Sequence, residues 1–180
     1  MHLTAYENAT RFKDAYPVSK GEKIAEIGSQ VIAKQQSLRA LFKGCEYTGF
    51  DFAEGKGVDV ILDDPYSLPA ETNAFDRVIS SSCFEHSEFF WISFLEMLRI
   101  CKDNGLIYLQ APSNGAFHRY PIDCWRFYPD SGVALQNWGL RNNINVTLLE
   151  SFTTPQKADC WNDFVAVFAK SKENEIKYNN

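Results

Sequence analysis

Strand-like and helix-like segments alternate along this chain, and a chemically distinctive residue stands at the end of nearly every strand-like one. Alternation of this kind calls for an α/β sheet with helices packed on it rather than a bundle or a sandwich. Lys23–Ile27 is a short apolar run closed by Gly28 and reads as a first strand. Residues 32–42 carry Leu38, Leu41 and Phe42, as expected of a helix on a sheet. Glu46–Asp51, 58–62 and 76–81 read as strands two to four. The clearest helical period runs over 88–100, where Trp91, Phe94, Leu95 and Leu98 share a face and Glu96 and Arg99 are left to water. A basic last turn and Gly105, suited to a left-handed cap, end that helix. Residues 106–109 read as strand five and 131–138 as a helix. Residues 144–149 and 164–169 read as two alternating final strands suited to pairing as an antiparallel edge.

The chain's 180 residues suit one domain with one continuous core, preceded by a segment over 1–20 and ending in a frayed tail over 171–180. Nothing approaches the roughly 20 consecutive apolar residues of a membrane helix. The first residues lack the basic start and apolar run of a signal peptide, so the expected location is cytoplasmic. The five cysteines are odd in number, scattered, and never in a CxxC pair. Free thiols are therefore expected, with no disulfide framework and no metal. A net charge of −5 offers no broad field for nucleic acid and disfavours it as a partner. The oligomeric state is left open.

Ligands of open α/β sheets bind beyond the carboxyl ends of the strands, where the strand order reverses. Glu26-Ile27-Gly28-Ser29-Gln30 closes strand one, Asp51 closes strand two, Asp63-Asp64 strand three, and Ser82-Cys83-Phe84-Glu85-His86 follows strand four. A dinucleotide pyrophosphate wants further glycines, yet Gln30 and Ala33 hold those positions. A nicotinamide-dependent oxidoreductase is disfavoured on this ground. S-adenosylmethionine has no phosphate; Gly28 gives close approach, and the Glu26 carboxylate favours the cationic methionyl end. Asp51, 23 residues beyond Gly28, stands at about the separation at which a strand-two acid meets ribose hydroxyls. Each residue alone also has a structural reading, Gly28 as a strand terminator and Asp51 as a turn carboxylate. Their clustering favours the cofactor.

At these residues the chain resembles the class I S-adenosylmethionine-dependent methyltransferases, particularly small bacterial ones associated with surface-glycan biosynthesis. The matching stretches are Ala25-Glu26-Ile27-Gly28-Ser29, Tyr47-Thr48-Gly49-Phe50-Asp51, Asp76-Arg77-Val78-Ile79-Ser80 and Leu98-Arg99-Ile100-Cys101-Lys102-Asp103-Asn104-Gly105-Leu106. The segment from His118 through Arg119, Tyr120 and Asp123 to Arg126 and Phe127 looks like a subgroup signature. The resemblance implies a Rossmann-like sandwich, with a mostly parallel seven-stranded sheet whose last strand is reversed. It places Glu26 and Gly28 near the methionyl group, Asp51 on the ribose, Asp64 on or beside the adenine amine, and Ser82 and Cys83 beside the cofactor, with Ser29 and Phe52 also among the cofactor-binding residues. The chain departs from the pattern in its reduced glycine loop. Pro65, lacking an N–H, cannot donate to adenine as that position often does, and the Tyr66 N–H is the alternative donor.

Methyl transfer requires an acceptor held in line with the S–C bond, and a hydroxyl acceptor benefits from a nearby base. His86 and His118 follow strands four and five, beside the expected acceptor, whereas His2 lies near the chain's start and is set aside. The alternatives are a helix cap for His86 and a structural polar network for His118. Arg119 and Arg126, with Tyr120 and Asp123, suit an anionic small-molecule or glycan-linked acceptor, though the arginines also suit pairing with Asp123 and Asp130. At least half of the rings of Phe117, Tyr120, Trp125, Phe127 and Tyr128 are expected in the core. Cys83 reads as a small residue near the cofactor rather than a nucleophile. The function expected is methylation at oxygen, giving S-adenosylhomocysteine, and the competing reading is a non-catalytic binding module with a weakened cofactor loop.

Overall fold

A computed structural model describes residues 3–32, 36–157 and 160–171. His2, Ala33 and the tail over 172–180 lie outside the described residues, as does part of the helix expected over 32–42. The sheet is built from β1 (Lys23–Ile27), β2 (Glu46–Asp51), β3 (Val60–Ile61), β4 (Phe75–Ser81), β5 (Cys101–Pro112), β6 (Val146–Thr153) and β7 (Asp163–Lys170). Its order is β3-β2-β1-β4-β5-β7-β6. Neighbours from β3 to β5 pair in parallel, and β7 runs antiparallel to both β5 and β6. The reversed strand is therefore inserted inside the sheet and leaves β6 at the edge.

Side chains alternate between two apolar layers rather than between core and water. In β7, Phe164, Ala166 and Phe168 enter one cluster, while Val165, Val167 and Ala169 enter the other. Helices α2 (Phe90–Ile100) and α3 (Pro129–Arg141) cover the first face through Phe94, Met97, Leu98 and Leu135. Helix α1 (Leu3–Ala15) covers the second through Ala9 and Phe12, whose ring lies 4.7 Å from that of Tyr108. Burying a ring such as Phe12 contributes about 1.5–3 kcal/mol. Arg77 holds the end of this helix by donating to the carbonyls of Tyr16 and Pro17 while pairing with Glu22.

Several local expectations are corrected. Between β1 and β2 the described residues contain only a 3-10 turn, Leu38–Leu41, capped by the Ser37 side chain. The left-handed residue after α2 is Asn104 (φ 65°), since the helix already ends in extended backbone at Cys101. Glu96 and Arg99 do not simply face water. Together they accept from the Leu68 N–H and donate to the Leu68 and Ala70 carbonyls, pinning the loop before β4. Among the described residues no helix is long and apolar enough to cross a membrane.

Candidate active site

The chain leaves β1 toward β2 and β3 on one side and returns to β4 on the other, so the strand order reverses between β1 and β4. There the loops beyond the two strands separate over a cavity of about 650 Å³, within the ~300–1,000 Å³ typical of small-molecule sites. Glu26, Gly28, Ser29, Asp51, Phe52, Ser82, Cys83, His86, His118, Arg119 and Tyr120 all line it.

Gly28 adopts φ +79°, and a Cβ there would lie 2.5 Å from the Cβ of Cys83. This contact sets how closely the β1 and β4 loops approach. Glycines missing from the first loop are supplied by its neighbour: a Cβ on Gly49 would overlap the Ser29 side chain, and one on Gly57 the Ser29 carbonyl. The buried Asp51 carboxylate joins the two loops by accepting from the Gln30 N–H (3.0 Å) and the Ala53 N–H (3.2 Å). Each of its oxygens keeps acceptor capacity for a ligand hydroxyl.

Glu26 is buried, accepts from the Tyr47 hydroxyl at 2.6 Å, and has its pKa pushed up to about 7 by desolvation. A cationic ligand beside it restores the charged form. Burial pushes the Cys83 thiol up to about 12, aided by Glu85 and Asp51, so it stays protonated and is no nucleophile. Ser81 and Ser82 donate to Gln110 Oε1, and Gln110 donates to Asp163, so a buried polar relay fixes the strand-four end.

Glu85, His86 and His118 also line this cavity and converge on one another. His86 lies in a 3-10 turn, Phe84–His86, and does not cap α2. Its Nδ1 faces the Ile122 carbonyl, which makes Nδ1 the donor and leaves Nε2 bare, 3.7 Å from Glu85 Oε1. Burial lowers the His86 pKa and raises that of Glu85 to about 8. The His118 ring stands 4.9 Å from that of His86, edge to face, and equally far from Trp161. Glu85, which the sequence reading did not select, is buried and brought by the fold against His86 and His118. Its only sequence signal is adjacency to His86.

Three selected residues lie off the cavity wall. Asp64 accepts from the Tyr66 N–H in a tight turn, which also occupies the donor expected for adenine; Leu62, Pro65 and Tyr66 form that wall instead. Asp123 and Arg126 form a two-pronged ion pair (2.6 and 2.9 Å), and Asp123 also accepts from the His118 N–H. Arg126 holds the Asp123 carboxyl down at about 2, and the pair knots the loop that carries His118. Arg119 makes no ion pair with the described residues. Of the five loop aromatics only Phe127 is buried; Phe117, Tyr120, Trp125 and Tyr128 are exposed, because the loop crosses the rim and not the core.

A sheet of this order with its cavity at the β1/β4 switch point defines the Rossmann-like methyltransferase fold. Residues 25–109, just under half of the chain, match the family model described as a methyltransferase domain. Similar solved structures include 1,6-didemethyltoxoflavin-N1-methyltransferase of Burkholderia thailandensis, crystallised with 1,6-didemethyltoxoflavin and S-adenosylhomocysteine (TM-score 0.70, 14% identity, 93% of this chain and 79% of that one). A chain of the complex between the Trm112 methyltransferase activator of Haloferax volcanii and a methyltransferase is similar at TM-score 0.64 (17% identity, 94% and 90%). So is the [4+2]-cyclase SpnF, at TM-score 0.65 (13% identity, 92% and 81%). No curated protein matches the chain significantly in sequence. The family match and the fold support a class I S-adenosylmethionine-dependent methyltransferase, with S-adenosylmethionine as its cofactor.

Proposed function

We propose that this protein transfers a methyl group from S-adenosylmethionine to oxygen on a small-molecule or glycan-linked acceptor. One observation carries the reading: Glu26, Gly28 and Asp51 converge on the same cavity that His86 and His118 also line. The Burkholderia neighbour, crystallised with S-adenosylhomocysteine and its own substrate, supports a shared donor and acceptor chamber on this fold.

The donor supplies an electrophilic methyl group on a sulfonium. Glu26 receives the cationic methionyl end, and Gly28 admits it without a side chain between. Asp51 accepts from the ribose hydroxyls while keeping the two loops together. Pro65, Tyr66 and the half-exposed Phe52 flank the base. Across the cavity, His118 and His86 present bare Nε2 atoms that take the acceptor's proton. Arg119 and Tyr120 at the exposed rim bind the acceptor's anionic or ring portion.

Calorimetry with S-adenosylhomocysteine tests the donor site. Wild-type protein is expected to bind it, and Asp51→Ala to bind about ten- to a hundredfold more weakly, since hydrogen bonds to a charged group are worth about 1.5–3 kcal/mol. Equal binding by both removes Asp51 from the site. No binding by wild type overturns the proposal in favour of a module without the cofactor.

Glu26 adds a pH signature. Its folded pKa of about 7 exceeds the ordinary 4.5, so between those values the folded chain holds a proton that the unfolded chain has lost. The ligand-free protein therefore loses stability as pH rises from about 4.5 to 7, and Glu26→Gln abolishes that component. Ligand ammonium favours the ionised carboxylate, so S-adenosylhomocysteine affinity rises with pH through the same window and binding releases a proton. Calorimetry at pH 6 in buffers of different ionisation enthalpy checks this. Proton release unchanged in Glu26→Gln would separate Glu26 from the ligand.

A further inference from the structure

We propose that Glu85, His86 and His118 bind one divalent transition-metal ion at the acceptor end of the cavity. Each of the three places a ligand atom within 4.8 Å of the other two. Zinc-type bonds of about 2.0–2.2 Å bring donors to about 3–3.5 Å from one another. Side-chain rotations that move the donors by roughly 1–2 Å close the difference, and Glu85 and His86 stand beyond β4 while His118 stands beyond β5.

Two further observations point to a cation. Glu85 Oε2 is buried and has no hydrogen-bond partner among the described residues, although a lone buried carboxylate oxygen is costly. Both imidazoles are also held by their far nitrogens. His86 Nδ1 meets the Ile122 carbonyl; His118 Nδ1 lies 3.2 Å from the Ala116 carbonyl and 3.4 Å from Asp123 Oδ2. Such outer partners fix the tautomer that leaves Nε2 unprotonated toward a metal, and metal-bound histidines are held in this way. The Asp123–Arg126 knot then serves to hold His118 in place.

Two imidazoles and one carboxylate suit zinc, iron(II), cobalt(II) or manganese(II), not the all-oxygen preference of calcium. Three protein ligands leave positions open to the cavity, where an acceptor hydroxyl would coordinate and release its proton to solvent more readily. In the loaded protein the two histidines orient the ion, and the ion takes over acceptor activation. The metal assignment stands by itself; the role toward the acceptor rests on the methyltransferase reading.

Untagged, chelator-stripped protein titrated with cobalt(II) tests the site. The expected result is visible d–d absorption that saturates at one ion per chain and is displaced by zinc. His118→Ala, on an accessible loop, and Glu85→Gln, of equal size, are each expected to weaken binding at least tenfold. Replacing the exposed Cys124 and Cys160 with serine is expected to leave it unchanged. No saturable absorption, or binding indifferent to both ligand substitutions in variants that still melt cooperatively, overturns the site. Calorimetry with S-adenosylhomocysteine on the same samples separates the two readings. Nucleoside binding without cobalt overturns the metal alone, and cobalt binding without nucleoside overturns the donor site alone.

Discussion

Replacing His118 with alanine is expected to lower methyl-transfer turnover at least a hundredfold while changing S-adenosylhomocysteine affinity less than about threefold. Proton removal by a positioned group accounts for about 10²–10⁴ in rate, and His118 lines the cavity from the loop after β5, whereas Glu26 and Asp51 stand on β1 and β2. Its main chain is held by Asp123 and its ring by the Ala116 carbonyl, so truncation removes Nε2 without releasing the loop. Labelled S-adenosylmethionine with a panel of hydroxylated acceptors gives the rate, and calorimetry gives the affinity. Weakened cofactor binding with unaltered turnover would take His118 out of the chemistry.

Gly28→Ala carries the second large effect, and it falls on both fold and site. The residue holds φ +79°, which costs an L side chain about 1–2 kcal/mol, and the new methyl would sit 2.5 Å from Cys83 Cβ, adding about 1–3 kcal/mol of overpacking. At about 2–4 °C per kcal/mol for a chain of this size, the melting temperature is expected to fall by at least about 5 °C. S-adenosylhomocysteine affinity should drop more than tenfold, because the β1 and β4 loops must part to admit the methyl group. Adding Cys83→Gly removes the clash but not the backbone strain, so the double variant should recover part of the stability. A Gly28→Ala protein with unchanged melting and affinity would show that the close contact does not shape the cavity.

The cavity's polar partnerships explain why some selected residues line it and others do not. Arg126 and Arg119 both read as anion clamps, yet one is consumed by Asp123 and the other stands exposed at the rim. Glu96 and Arg99 read as a solvated face, yet they tie down the loop before β4. Helix α1 went unread because its buried stripe consists of small and polar residues, Thr4, Ala5, Asn8 and Ala9, with only Phe12 as a large anchor. Its apolar period is too faint against a polar background.

From the chain alone one could read the α/β alternation, the exact bounds of β1 and β2, and the gathering of Glu26, Gly28 and Asp51 at strand ends. Those features are local: an apolar run of strand length, a glycine that closes it, a carboxylate at a set distance. Only the tertiary structure decided that β7 enters between β5 and β6, that Asp64 turns away, and that Glu85 meets His86 and His118. Periodicity reports the face a side chain takes on its own element. Its partner comes from a segment tens of residues away, chosen by packing and by the need to satisfy every buried polar group.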